Sequence, residues 1–285
     1  MIQLQNNSKT DAAWNQLYDR LETDGLLSET KNRKVEKLFR LAYLKWAAAI
    51  ALICISVTTL IFTTNQDKAD KDNLLTLQNK KGAVTLVTTL EDGSIVYLAD
   101  DAQLNYPSHF EENIREVFLS GNALFEISGN KERPFLIDTK EVRVEVLGTS
   151  FYIKDDTNTT FELAVKHGKV KVIHKEKGSE KIVEAGQTVR LLSDKLSVTP
   201  TENENLFNLY TQKIQFKDEP LGNILHVVNK KLNSTKLQTT PELSKRPLTV
   251  TFSNNSPEKV AQLICLALDL TYEERNEVIL ISEMN

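Results

Sequence analysis

The run WAAAIALICISVTTLIFTT, Trp46 to Thr64, constrains this chain more than any other feature. Its nineteen residues hold no charge, no Gly and no Pro, and their polar side-chain atoms are hydroxyls, one thiol and one indole N–H. As a helix it would rise about 1.5 Å per residue and reach roughly 28 Å, close to the hydrocarbon thickness of a bilayer. A helix also satisfies every backbone donor and acceptor internally, as lipid requires. The competing reading is a buried helix of a soluble core. Long soluble helices show a polar face, however, and Ser56, Thr58, Thr59, Thr63 and Thr64 mark no consistent one.

The flanks orient the span. Lys31, Arg33, Lys34, Lys37, Arg40 and Lys45 precede it against one acid, Glu36, whereas Lys68, Lys71 and Lys80 follow it mixed with Asp67, Asp70 and Asp72. The cation excess belongs on the cytoplasmic side. A cleaved signal peptide would place a shorter apolar core much nearer Met1. The expectation is a single-pass inner-membrane protein with a cytoplasmic N-terminus and a periplasmic C-terminus. A net charge of −4 gives no support to nucleic-acid binding, and the one basic cluster abuts the span. Cys54 lies in the span and Cys265 in an apolar run, so the two cannot form one disulfide, and Cys265 reads as a small core residue.

Before the span, Thr10 or Asp11 can cap a helix on which Trp14, Leu17, Tyr18 and Leu21 fall at i, i+3, i+4 and i+7. Gly25 is placed to end it, and Leu26 and Leu27 follow. Ser28 offers a second cap to a helix running into the span. Helices this short cannot bury a core of their own. They pack on each other, lie on the inner leaflet, or have their stripe completed by a partner protein.

Residues 65–81 read as a linker. From Gly82 to Leu192 short segments rich in β-branched and aromatic residues alternate apolar and polar positions, and Asp92-Gly93, Gly129-Asn130 and His167-Gly168 read as two-residue hairpin turns. This predicts an antiparallel all-β sandwich, jelly-roll-like, over 82–200, with a strand set complete in itself. Residues 206–285 change texture. The strand KIQF precedes a helix capped at Asp218 and bearing Leu221, Ile224, Leu225, Val228 and Leu232. PLTVTF is a strand, Ser256-Pro257 starts a second helix, and LTYEER and VILIS close as a hairpin around Asn276-Glu277. The result is a small C-terminal α/β module. The architecture expected is therefore multi-domain: cytoplasmic helices over 1–45, a transmembrane helix over 46–64, the linker, the β domain and the module.

Enzymatic chemistry finds no purchase. The four histidines form no ligand motif, and Glu91-Asp92 and Asp100-Asp101 sit beside turn signals, where solvated carboxylates are common. Gly148-Thr149-Ser150 lacks the Lys and the helix of a phosphate loop and reads as a sharp turn or bulge. No metal or cofactor motif is present. Arg115 and Arg133 read either as ligand-binding residues or as structural ones pairing a carboxylate on a neighbouring strand.

The blocks TTLEDGSIVYLADDAQLNYP at 88–107, REVFLSGNALFEI at 115–127, RPFLIDT at 133–139, VEVLGTSFYI at 144–153, KHGKVKV at 166–172 and VEAGQTVRL at 183–191 resemble, in order, the periplasmic domain of FecR-type anti-sigma regulators. Asn122-Ala123 and Ser150-Phe151-Tyr152 are mild departures from that pattern. QFKDEPLGNIL at 215–225 and LTVTFSNNSPEKVAQLI at 248–264 are similar to the C-terminal module of such proteins in Bacteroidetes-like bacteria, which is related to the short signalling domains of secretins and TonB-dependent transporters. The resemblance implies a cytoplasmic segment that binds an extracytoplasmic-function sigma factor, and the apolar stripe Trp14, Leu17, Tyr18 and Leu21, with Leu26 and Leu27 after it, reads on pattern and charge as the surface for that partner. The resemblance also implies an outer module that receives the signalling domain of a TonB-dependent outer-membrane transporter, and regulatory proteases as further partners. The alternative is a membrane-tethered periplasmic carbohydrate-binding protein.

Overall fold

The computed structural model describes residues 8–25, 74–155, 160–203, 205–232 and 235–284. The chain divides into two compact units, Met1–Lys68 and Ala69–Asn285. The run 46–64 lies outside the described residues, among which no helix is long and apolar enough to cross a membrane.

In the first unit the described element is α1 (Ser8–Thr23), which begins slightly before the expected caps. Its end is as the sequence predicts. Gly25 takes φ +67°, and the N–H groups of Asp24 and Gly25 return to the carbonyls of Arg20 and Glu22.

The second unit is built from β1 (Leu74–Gln78), β2 (Thr85–Thr89), β3 (Ile95–Leu98), β4 (Gln103–Pro107), β5 (Arg115–Ser120), β6 (Ala123–Glu126) and β7 (Phe135–Asp138). It continues with β8 (Val142–Val146), β9 (Ser150–Lys154), β10 (Glu162–His167), β11 (Lys169–His174), β12 (Glu180–Glu184), β13 (Gln187–Leu192) and β14 (Lys195–Pro200). Then come α2 (Leu206–Gln212), β15 (Lys213–Pro220), α3 (Leu221–Lys231), β16 (Lys236–Thr239), α4 (Pro241–Ser244), β17 (Pro247–Ser253), α5 (Pro257–Leu268), β18 (Leu270–Arg275) and β19 (Val278–Glu283).

One sheet runs β1-β4-β5-β7-β8-β11-β12 and the other β14-β13-β10-β9-β6-β3-β2-β15-β17. The alternation seen in the sequence faces the core between them: Arg115, Val117 and Leu119 of β5 and Val170, Val172 and His174 of β11 are buried, and the residues between them are more exposed, polar ones such as Glu116 and Lys171 beside the apolar Phe118 and Ile173. Phe125 and Phe151 stack at its centre, 5.4 Å apart. Most pairings are antiparallel, but β5 runs parallel to β7. The second half of the expected linker is structured, since β1 pairs with β4 along all five of its residues. Asn79 fixes the following turn: its side-chain amide donates to the carbonyls of Val84, Leu98 and Ala99 at 2.9–3.1 Å.

Two of the three expected hairpins are crossings instead. Gly129-Asn130 joins β6 of one sheet to β7 of the other, and His167-Gly168 joins β10 to β11 across the same gap. The third is a hairpin of a different kind. Leu90 and Ser94 close it, Gly93 N–H donates to Leu90 O, and only Gly93 has positive φ, at +78°. That is a three-residue loop, a type I turn followed by a left-handed glycine, rather than a two-residue primed turn. The sharp turn or bulge expected at Gly148-Thr149-Ser150 is a bend after β8, and it brings the backbones so close that a Cβ on Gly148 would lie 2.6 Å from Gly129 Cα.

The C-terminal stretch does not stand apart from the sandwich. β15 adds parallel to β2 at Ile214↔Thr85 and Gln215↔Leu86, and β17 adds antiparallel to β15. The outer face of the nine-stranded sheet carries Val87, Ile95, Tyr97, Leu124 and Tyr152, all under 5% exposed. Phe207, Phe216 and the apolar sides of α3 and α5 share one core with them. Both helices also reach the small sheet β16-β19-β18. α5 starts as expected, with Ser256 Oγ accepting from Lys259 N–H and Pro257 at the first position. Asn276 and Glu277, both at positive φ, turn β18 into β19. Cys265 is a free, buried core residue. Asp218 does not cap α3. It sits at the bulge of β15, where its N–H donates to Thr249 Oγ1.

Candidate functional site

Trp14, Leu17, Tyr18 and Leu21 fall on one face of α1, each one helical turn from the next pair. Trp14 is 60% exposed, Leu17 46% and Tyr18 61%, while Leu21 is half-buried. Leu26 and Leu27 lie outside the described residues. The charged residues from 11 to 24 are Asp11, Asp19, Arg20, Glu22 and Asp24, so the helix surface is acidic around its apolar stripe. An apolar stripe with large aromatic residues and an acidic surround suits a protein groove better than an anionic leaflet.

In the second unit, residues that invite a catalytic or ligand-binding reading prove to hold turns and strands together. Arg115 is 1% exposed. Its Nη1 donates to Asp92 Oδ2 at 2.6 Å and to Ser128 O at 2.9 Å, and its Nε donates to Arg133 O at 2.9 Å. Its guanidinium lies over the Phe135 ring, 5.3 Å from the centroid, and Arg133 covers Phe110 in the same manner. Asp92 in turn accepts from the backbone N–H and hydroxyl of Ser94. Of the two readings of Arg115, the structural one holds.

The acidic pairs behave likewise. Glu91 accepts from Phe110 N–H at 2.8 Å and contacts His109 Nδ1 at 3.0 Å. The Phe110 N–H, and secondarily His109, hold its carboxyl below the usual range. Asp100 accepts from Gly82 N–H. Among the described residues no three His, Cys, Asp or Glu side chains converge to hold a metal ion.

One titratable side chain escaped the sequence reading. Glu219 is 7% exposed at the seam between β15 and β2. It accepts from Thr88 Oγ1 at 3.2 Å, Thr89 N–H at 3.3 Å and Asn223 Nδ2 at 2.7 Å. Burial pushes its carboxyl above the usual range, against the opposing pull of these three donors. An acid in KIQFKDEP looks like solvated strand-end charge, and only the pairing of two strands some 130 residues apart reveals its surroundings.

A two-sheet β domain with a helical and stranded layer closing one face is therefore joined to an N-terminal helix that exposes an apolar stripe. Residues 77–171, from β1 into β11, match the family model described as FecR protein. No curated protein matches the chain. Two solved structures resemble it, both of a provisionally assigned anti-sigma factor from Parabacteroides distasonis ATCC 8503, at 1.65 and 2.50 Å resolution. Each is 21% identical, with a TM-score of 0.46, and the likeness covers 74% of this chain and 100% of that one. At that distance the likeness bears on neither function nor partners.

Proposed function

We propose that this protein is a membrane-anchored anti-sigma regulator. In this reading α1 binds an extracytoplasmic-function sigma factor in the cytoplasm, and residues 46–64 cross the inner membrane as one helix. Residues 69–285 lie in the periplasm and receive the signalling domain of a TonB-dependent outer-membrane transporter. The observation that carries the reading is the exposed stripe Trp14, Leu17 and Tyr18 on a helix too short to bury it. The match of residues 77–171 to the FecR protein model supports the regulatory class, and the apolar run with its cation asymmetry supports the anchor.

The physical logic is that of two binding sites joined by a tether. A sigma factor held at the membrane is kept from core polymerase, and a partner outside alters the state of the tether or exposes it to regulatory proteases. Recognition of carbohydrate by the β domain is less well supported. Sugar-binding faces present clustered aromatics, and Tyr272 is the one large aromatic exposed among the described residues of 69–285. The test is a transcriptional reporter for the cognate sigma factor in cells carrying Trp14→Ala. Expression without inducer supports the proposal, and expression indistinguishable from the native chain contradicts it.

A further inference from the structure

The parallel ladder between β2 and β15 is short. The pairing ends after Ile214↔Thr85 and Gln215↔Leu86, and β15 carries a bulge between Phe216 and Glu219 in its pairing with β17. Beyond that point the next outward N–H of β2, that of Thr89, has no backbone carbonyl opposite it and donates to Glu219 Oε1 instead. The same carboxylate takes the Thr88 hydroxyl and, from α3, the Asn223 amide. One side chain thus replaces the missing rungs and joins the sandwich, β15 and α3.

The surroundings of this carboxylate are neutral. Thr88 and Thr89 face it from β2, Asn223 from α3, and the residue opposite it on β17 is Leu248. The titratable neighbour is the Tyr106 hydroxyl of β4, whose own proton is held more tightly by burial, against the pull of its hydrogen bond with Thr88. Its flanking charges, Lys217 and Asp218, are exposed. Among the described residues no Lys, Arg or His forms an ion pair with Glu219, unlike Asp92 with Arg115 or Glu162 with Arg190. A carboxylate at 7% exposure with three neutral donors and no cation is a group for which loss of the proton costs the docked state and not the open one.

We propose that docking of the C-terminal layer on the sandwich is proton-linked through Glu219, so that the β2–β15 seam is tightest when this carboxyl is neutral and loosens when it ionises. The sign follows from burial. The docked form holds its proton above the usual carboxyl range, while in an opened seam water restores the ordinary value. Seam stability is fully present below the ordinary value and is lost as pH rises through the docked one. The opening constant therefore climbs by up to about tenfold per pH unit between these two values and is flat above the docked one. This inference stands on the seam alone and holds whatever partner the outer unit takes.

The test is hydrogen exchange of the full-length protein from pH 4 to 8, corrected for intrinsic exchange rates and read at the amides of Thr89 and Gln215, which face the seam. The native chain is expected to show an opening constant that rises with pH and then levels. Glu219→Gln keeps an oxygen acceptor for Thr89 N–H and a donor for Thr88 but cannot ionise, and its profile is expected to be flat. Glu219→Met, neutral without an acceptor, is expected to be flat at a higher level. Asp218→Asn, at the exposed neighbour, is expected to track the native chain. A flat native profile, or a native slope retained in Glu219→Gln, overturns the proposal.

Discussion

Cutting the chain after residue 203 tests whether the β domain is complete without its C-terminal layer. The strand pattern says that it is, but the outer face of the nine-stranded sheet says otherwise. Removing 204–285 bares Val87, Ile95, Tyr97, Leu124 and Tyr152, which are between 0% and 4% exposed in the intact unit. Full burial of an aliphatic side chain stabilises a fold by about 1.5–3 kcal/mol, so Val87, Ile95 and Leu124 together represent roughly 5–9 kcal/mol. The two tyrosine rings add to this, giving a loss on the order of 10 kcal/mol, as an upper estimate because denatured chains bury part of this area already. A whole domain is stable by only about 5–15 kcal/mol. Fragment 69–203 is therefore expected to be unfolded or aggregated at 25 °C, whereas 69–285 unfolds cooperatively in urea. Replacing Val87, Ile95 and Leu124 by Thr in the fragment should restore solubility without restoring full stability. A fragment 69–203 with the urea midpoint of 69–285 would mean that the C-terminal layer adds nothing to the stability of the sandwich.

Gly93→Ala meets only Ser128 Oγ at 3.5 Å, so its cost is that of the left-handed backbone, about 1–2 kcal/mol by thermal melt, whereas Gly148→Ala drives a Cβ to 2.6 Å from Gly129 Cα and should cost visibly more. Arg115→Met leaves Asp92 charged and unpaired at 11% side-chain exposure, and a loss of about 3–5 kcal/mol is expected in urea unfolding, partly recovered in the double variant with Asp92→Asn. Glu91 has the opposite sign to Glu219. Its lowered carboxyl contributes stability that is present above the ordinary value and lost as pH falls through the folded one, so native and Glu91→Gln melting curves should converge on acidification.

What the sequence made legible was local. The inward alternation of β5 and β11, the cap at Ser256, the turn at Asn276-Glu277 and the stop at Gly25 all rest on neighbours a few residues away, and each forms as expected. Gly129-Asn130 and His167-Gly168 show the limit of such signals. A glycine that lets the chain reverse permits equally a return to the adjacent strand or a crossing to the facing sheet, and the choice depends on strands far along the chain. The joining of β15 to β2 is non-local in the same sense. A trace of it was present nonetheless: Ile95-Val96-Tyr97-Leu98, Phe151-Tyr152-Ile153 and Leu163-Ala164-Val165 are unbroken apolar runs, and all of these residues are buried. Runs without alternation belong to strands covered on both faces, which an isolated sandwich does not provide. Glu219 left no such trace, since nothing in its neighbours distinguishes it from the exposed Asp218 beside it.

The proposed role of this protein stands or falls with binding of a sigma factor to the Trp14 face of α1. The direct measurement is the dissociation constant of the full-length protein, in detergent or nanodiscs, for its cognate extracytoplasmic-function sigma factor, with and without Trp14→Ala. Trp14 is exposed at 60% and supports no described core, so its loss should leave α1 and the outer unit intact by circular dichroism. A buried aromatic anchor of an interface contributes about 2 kcal/mol or more, so the dissociation constant is expected to rise at least roughly thirtyfold. An unchanged dissociation constant, with Leu17→Ala equally silent, would contradict it.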